Sequence, residues 1–162
     1  MTYKEIEETT GEKERHILFS LPKGAAALLR KIPGFEDFDE RYECLRCIKP
    51  GTGTKSAPRA FSLKLSKITR GPVCRLKPIT HDNEFEVRHD QGKLTAVATK
   101  HVDDVKLGGE KHIIKDEILP ELERVFGKLK YHENNFLNTG IQHKRLEDGS
   151  ITLDQDDYIK AL

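Results

Sequence analysis

Tryptophan is absent from the chain, methionine occurs once, and only three cysteines are present. The odd set of Cys44, Cys47 and Cys74 does not suggest a disulfide framework and favours a reducing compartment. No apolar run is long enough to cross a bilayer, and the charged first ten residues lack the apolar segment of a signal peptide. We therefore expect an intracellular protein, cytoplasmic or nuclear, that is neither secreted nor inserted in a membrane.

A large excess of charge of either sign is also missing. The 162 residues carry 28 basic and 27 acidic side chains, which leaves a formal net charge of +1. Dedicated nucleic-acid-binding modules usually have a larger basic excess, so any basic surface has to be local. Hydrophobic residues make up 36% of the chain, which is enough for a modest core in one domain or in part of a larger one.

Two main helices are predicted from the spacing of apolar residues. Ser56 is a candidate N-cap, Pro58 suits the first turn, and the first helix ends near Gly71. The second helix is predicted from Glu110 to Phe126, where apolar residues recur every three or four positions. The polar residues 1–10 are expected to be poorly ordered.

An acidic pair lies between two predicted strands. Residues 94–99 alternate as in a strand, and Val105 and Leu107 alternate again after Asp103 and Asp104. This pattern predicts a hairpin with the two aspartates at its tip.

A further hairpin is predicted around the turn sequence Asp148-Gly149. Phe85 and Val87, one residue apart, are expected on one face of another strand. Because helices are mixed with antiparallel hairpins, the predicted fold class is α+β.

Asp103 and Asp104 are the strongest candidates for chemistry. Two adjacent carboxylates repel each other unless a cation lies beside them, and carboxylate oxygens are the ligands that Mg²⁺ prefers. Two such ions a few ångströms apart can activate a hydroxyl nucleophile and stabilise a leaving group. Aspartate is also a common turn residue, so the dipeptide alone is better explained as a solvated turn.

The motifs around the pair carry a family resemblance. Residues 101–104, His-Val-Asp-Asp, resemble the Tyr-Val-Asp-Asp box of reverse transcriptases. Residues 53–61, Gly-Thr-Lys-Ser-Ala-Pro-Arg-Ala-Phe, resemble the Gly-Leu-Lys-Gln-Ala-Pro-Arg-x-Trp box of copia-type retrotransposon polymerases. Residues 32–35 are similar to Pro-Pro-Gly-Phe, residues 138–141 stand where the family has Leu-Gly-Ile, and residues 151–159 resemble Ile-x-Leu-x-Gln-x-x-Tyr-Ile. Since five elements occur in family order, the chain resembles a fragment of a copia-type reverse transcriptase.

The resemblance implies a partial polymerase palm, in which helices pack on an antiparallel sheet, together with a remnant of the fingers. It implies a single incomplete domain over residues 1–162, with the fingers and palm remnant in about residues 1–80 and the palm core in about residues 81–162. The parent enzyme would carry out RNA-directed DNA synthesis with two Mg²⁺ or Mn²⁺ ions. Its partners would be an RNA or DNA template-primer, deoxynucleotides and the rest of the polyprotein.

The resemblance also assigns roles around the acidic pair. Asp103 and Asp104 would be two of the three palm carboxylates and would bind the metal ions. His101 would face the nucleotide and template, and it stands where the family has tyrosine.

A second group of residues would also face the incoming nucleotide and template: Lys55, Ser56, Pro58 and Arg59. Lys55 or Arg59 could meet phosphate there, helped by the positive end of the helix. An ordinary solvated charge near a helix start explains Arg59 equally well and explains Lys55 better. Ser56 and Phe61 replace the family's glutamine and tryptophan, and the serine removes a bidentate amide near the template–nucleotide pair.

The family's third carboxylate lies in a segment like Asp-Val-x-x-Ala-Phe-Leu, and the 162 residues contain no such segment. Residues 1–5 resemble the stretch that follows it. We therefore expect the chain to start one motif late and to be inactive, or nearly so, by itself. Two alternatives stay open: a non-catalytic relic of a transposon polyprotein that binds nucleic acid or a partner, and an unrelated small structural domain that shares the motifs by chance.

Overall fold

The computed structural model describes residues 1–13, 15–51, 53–102 and 104–160. Helices are mixed with antiparallel sheets, which confirms the predicted α+β class. The chain divides into two compact units, Met1–Lys64 and Leu65–Leu162. No helix in the described part of the chain is long and apolar enough to cross a membrane.

The first unit contains two short helices and a two-stranded sheet. Helix α1 spans Tyr3–Thr10 and helix α2 spans Ala26–Leu29. Strands β1 (Leu18–Phe19) and β2 (Leu45–Arg46) pair antiparallel. Its buried apolar side chains are Tyr3, Ala26, Phe38 and Ala60.

The expectation that the first ten residues lack order was wrong, because α1 has a complete capping box. The Glu5 backbone N–H donates to the Thr2 hydroxyl, and the Thr2 backbone N–H donates to the Glu5 carboxylate at 2.7 Å. Two donors that a helix start would otherwise leave unpaired are thereby satisfied. The Thr-x-x-Glu spacing in the sequence was the signal for this helix.

Helix α3 spans Ala57–Thr69, and the division between the units falls within it. It begins after Ser56, whose carbonyl accepts a hydrogen bond from the Ala60 N–H at 2.9 Å. Pro58 is its second residue, so the missing N–H of proline costs the helix nothing. The predicted start of this helix is confirmed.

The second unit is built on a four-stranded antiparallel sheet in the order β3-β4-β5-β6. These strands span Lys77–Ile79, Asp82–Asp90, Lys93–His101 and Asp104–Gly109. The register His101↔Asp104 closes the ladder between β5 and β6. The predicted hairpin is therefore confirmed, with Asp104 as the first residue of β6, while the prediction for Asp103 lies outside the described residues.

The helix predicted over 110–126 is two elements, a π-helical segment at Ile113–Ile118 and helix α4 at Leu119–Phe126. The Leu119 N–H donates to the carbonyl of Ile114, five residues earlier. Pro120 follows at once and has no N–H to donate, so an ordinary α-helical ladder cannot pass through this point. The widened turn accommodates the proline.

A second, three-stranded antiparallel sheet follows in the order β7-β8-β9. Its strands span Asn135–Asn138, Ile141–Arg145 and Ile151–Asp154, and helix α5 (Asp156–Lys160) comes after them. The hairpin predicted around Asp-Gly is confirmed as β8–β9. Strand β7 was not predicted.

The core of the second unit is formed by side chains from the end of α3 and the segment after it, from β5, from the π-helical segment and from α4. Its buried apolar side chains are Leu65, Cys74, Leu76, Ala96, Ala98, Ile113, Ile118 and Leu122. At the end of β6, Gly109 has φ 145°, and a Cβ built there would lie 2.3 Å from the carbonyl oxygen of Thr95. Only glycine lets β6 pass this close to β5.

Candidate functional site

The candidate site is the turn between β5 and β6. His101 and Asp104 are directly opposite each other in the register, so their side chains lie on the same face of the sheet. Both residues are exposed. Asp103, the other predicted ligand, lies outside the described residues.

Val102, in this turn, has a strained backbone. Its φ is 54°, in the left-handed region, where a β-branched residue is a genuine outlier. Its side chain is 53% exposed, so core packing does not explain the conformation. Strain of this kind costs about 1–3 kcal/mol and is concentrated at functional sites.

The Asp104 carboxylate is accessible. It has no hydrogen bond or ion pair with any described residue, so its oxygens can take a cation without breaking a protein contact. Within the described residues, no group of three or more histidine, cysteine, aspartate or glutamate side chains is arranged to hold a metal ion.

The predicted nucleotide- and template-facing residues lie at the start of α3 in the first unit, whereas His101 and Asp104 belong to the second unit. Lys55 and Pro58 are exposed. The Ser56 hydroxyl accepts a hydrogen bond from Arg15 Nη1 at 3.1 Å.

Arg59, at the same helix start, already has an acidic partner. Its Nη2 lies 2.6 Å from Glu12 Oε1, and the two side chains are 52% and 45% exposed. An exposed pair of this kind contributes about 0–1 kcal/mol. A phosphate could therefore replace Glu12 at little cost.

A concavity in the first unit, with a volume of about 350 Å³, is lined by Arg30 and residues 36–41. It contains none of the predicted site residues. Its lining is mostly acidic, and Asp39 is already paired with Arg41 at 3.0 Å. It therefore does not form part of the candidate site.

Sequence reasoning missed a buried ionic cluster under the four-stranded sheet. Lys100 Nζ lies 2.7 Å from Glu86 Oε1 and 2.7 Å from the Ser66 hydroxyl. Arg70 Nε donates to the same Glu86 oxygen at 2.7 Å. Glu86 is 0% exposed, and its Oε2 has no partner among the described residues.

A second cluster surrounds Arg88, which is 1% exposed. Its guanidinium lies 2.8 Å from Asp90 Oδ2 and 2.9 Å from Glu117 Oε2. The hydroxyl of Thr95 donates to Asp90 at 2.7 Å. The hydrogen bond from Thr95 lowers the pKa of Asp90 below its usual value, and the hydrogen bond from Arg88 lowers it by a smaller amount.

The signal for these clusters is the alternation along β4. Phe85 and Val87 do share a face, as predicted, but that face is only half-buried, while Glu86 and Arg88 face the core. Alternation shows which residues share a face, and apolar residues normally mark the buried one. Here the buried charges pair with one another.

The cysteines offer no metal centre in the described residues. Cys74 is completely buried, and burial raises the pKa of its thiol to about 11. Because the thiolate is the metal ligand, Cys74 is poorly suited to bind zinc at neutral pH. Cys44 and Cys47 lie in the other unit.

No family model, no curated protein and no solved structure matches the chain.

Proposed function

We propose that the chain is part of the palm and fingers of a copia-type reverse transcriptase. The parent activity is RNA-directed DNA synthesis on a template-primer with deoxynucleotides. We further propose that it works in the cytoplasm or nucleus, together with the rest of a polyprotein. The β3–β6 sheet, together with α3, the π-helical segment and α4, corresponds to the palm in this proposal.

The observation that supports the proposal most is the turn at residues 101–104. An acidic dipeptide follows a strained Val102, and paired antiparallel strands flank both. Thr139, an exposed β-branched residue in the β7–β8 turn, also has a positive φ, of 50°. What distinguishes the turn at residues 101–104 is therefore the acidic dipeptide beside the strained residue. A site that must present carboxylates at a fixed angle gives a reason for the strain.

Asp103 and Asp104 are the proposed ligands of Mg²⁺ or Mn²⁺. The exposed Asp104 carboxylate, without a partner among the described residues, suits the oxygen preference of these ions. When bound, two such ions would supply activation of the primer hydroxyl and neutralisation of the leaving pyrophosphate.

Lys55 and Arg59 are the proposed phosphate contacts, and Ser56, Pro58 and His101 the neighbours of nucleotide and template. Lys55 is exposed, and Arg59 has only an exposed ion pair to give up. Cationic side chains at a helix start fit the charge of a triphosphate.

The chain by itself is expected to be inactive or nearly so, because the 162 residues contain no segment like the family's third-carboxylate motif. A primer-extension assay on an RNA template with Mg²⁺ tests this. Robust synthesis by the purified chain would overturn the expectation.

Binding of an RNA–DNA template-primer, measured with and without Mg²⁺, tests the function itself. We expect Mg²⁺ to tighten binding to the natural chain, and Asp103→Asn/Asp104→Asn to remove that gain. The matched control is Glu147→Gln/Asp148→Asn, which neutralises another acidic pair at a hairpin turn.

Two outcomes of this measurement would contradict the proposal. Binding that is equal or tighter in the asparagine variant would favour a non-catalytic relic. No binding by any of the proteins would favour an unrelated domain.

A further inference from the structure

A buried histidine and a lysine connect the two sheets of the second unit. Lys106 lies on β6, two residues after Asp104, and pairs with Thr99. His143 lies in the middle of β8 and is 6% exposed. Lys106 Nζ and His143 Nε2 are 2.6 Å apart. This contact therefore joins the strand that begins with Asp104 to the three-stranded sheet.

The surroundings of His143 decide which ring nitrogen carries the hydrogen. Nδ1 lies 3.0 Å from the carbonyl oxygen of Ile141. A carbonyl only accepts, so Nδ1 is the donor and Nε2 keeps its lone pair. The Lys106 ammonium has no lone pair and must donate. Phe136 stacks on the ring, with centroids 4.9 Å apart and planes 8° from parallel, and holds it in this orientation.

We propose that His143 is a positioning residue. It accepts the hydrogen bond of Lys106 and thereby fixes β6, with Asp104 at its start, against the three-stranded sheet. The consequence for metal binding rests on the proposed function, whereas the histidine–lysine link does not.

The link requires an acceptor at the Nε2 position and not merely a ring. Phenylalanine at position 143 would keep the stacking on Phe136 but would leave the half-buried Lys106 without this acceptor. Glutamine would lose the stacking and keep a carbonyl oxygen that can accept. Because a half-buried ammonium loses stability when its acceptor is removed, the two variants are expected to behave differently.

Nitrogen NMR of the imidazole in the natural chain at pH 8 gives the first test. We expect His143 to be the tautomer with hydrogen on Nδ1 and with Nε2 unprotonated and hydrogen-bonded. Hydrogen on Nε2 would overturn the proposal, and no variant has to fold for this test.

Amide hydrogen exchange at positions 106 and 108, whose N–H groups face β5 in the ladder, gives the second test. We expect exchange to be about tenfold faster in His143→Phe and in Lys106→Met, and close to the natural rate in His143→Gln. In the double variant His143→Phe/Lys106→Met, exchange should be no faster than in either single variant. Equally fast exchange in His143→Gln and His143→Phe, or additive effects in the double variant, would overturn the link. If the link passes both tests while Mn²⁺ fails to bind near Asp104, the proposed function fails and the link stands.

Discussion

Replacing Lys100 by methionine is expected to destabilise the second unit by about 3 kcal/mol. Methionine has a similar length and no charge, so the change removes the ammonium and little of the packing. The side chain of Lys100 is 1% exposed and that of Glu86 is 0% exposed. Lys100 Nζ lies 2.7 Å from Glu86 Oε1. Lys100 also donates to the Ser66 hydroxyl.

The magnitude follows from what the substitution leaves behind. Breaking a fully buried ion pair costs about 3–5 kcal/mol, because the remaining charge stays buried without its partner. Glu86 keeps one cation, since Arg70 contacts the same carboxylate oxygen at 2.7 Å and is itself 36% exposed. We therefore expect the lower end of that range.

Lys93→Met is the matched control. Lys93 lies on the same strand, β5, and its ammonium is 2.6 Å from the Glu110 carboxylate, but its side chain is 74% exposed. An exposed pair contributes about 0–1 kcal/mol. The two substitutions change the same side chain in the same strand and differ mainly in burial.

Urea unfolding followed by the amide signals of β4 and β5 measures the free energy of unfolding of the second unit alone, which avoids averaging over both units. The double variant Glu86→Gln/Lys100→Met is expected to cost at least 1 kcal/mol less than the sum of its two single variants, because both charges leave together. If Lys100→Met costs no more than Lys93→Met, or if the double variant is additive, the ionic account of this core is wrong.

Three further changes test other features of the second unit. Gly109→Ala is expected to lower the free energy of unfolding by about 2–4 kcal/mol, because its Cβ would collide with the backbone of β5. The control is Gly108→Ala, whose Cβ meets only a valine side chain. Urea unfolding should show a smaller loss of stability for this control. Val102→Gly should raise the same free energy by about 1 kcal/mol as backbone strain is relieved, and a loss of stability would show that Val102 is not strained. The pKa of Asp90 is lowered in the folded chain, so the ionised carboxylate contributes to the free energy of unfolding above about pH 4, and this contribution is lost as the pH falls further. The urea midpoints of the natural chain and of Asp90→Asn should therefore converge on acidification. A difference that stays constant with pH would contradict this.

Local patterns in the sequence predicted much of the second unit. The alternation on both sides of residues 103 and 104, and the Asp-Gly turn before β9, depend on neighbours along the chain and were confirmed. Strand β7 has no such pattern, since Asn135–Asn138 is a strand only because it pairs with β8. The π-helical segment likewise reflects how the chain accommodates Pro120 within a packed helix.

The site was only partly accessible to sequence reasoning. The acidic pair could be selected from its motif, and the structure adds the strain at Val102. The buried clusters could not be predicted, because pairing of Glu86 with Lys100 depends on which face of β4 meets the helices. The partnership of Lys106 with His143 depends on how two sheets pack, and 37 positions separate these residues along the chain.

We propose that the turn at residues 101–104 binds a divalent metal ion through its two aspartates. Paramagnetic Mn²⁺ added to the labelled chain tests it directly, by the loss of NMR intensity near the bound ion. We expect the amide signals of His101, Val102 and Asp104 to weaken first, in the natural chain and in Glu147→Gln/Asp148→Asn but not in Asp103→Asn/Asp104→Asn. Equal weakening in the asparagine variant, or no preference for this turn, would contradict the claim.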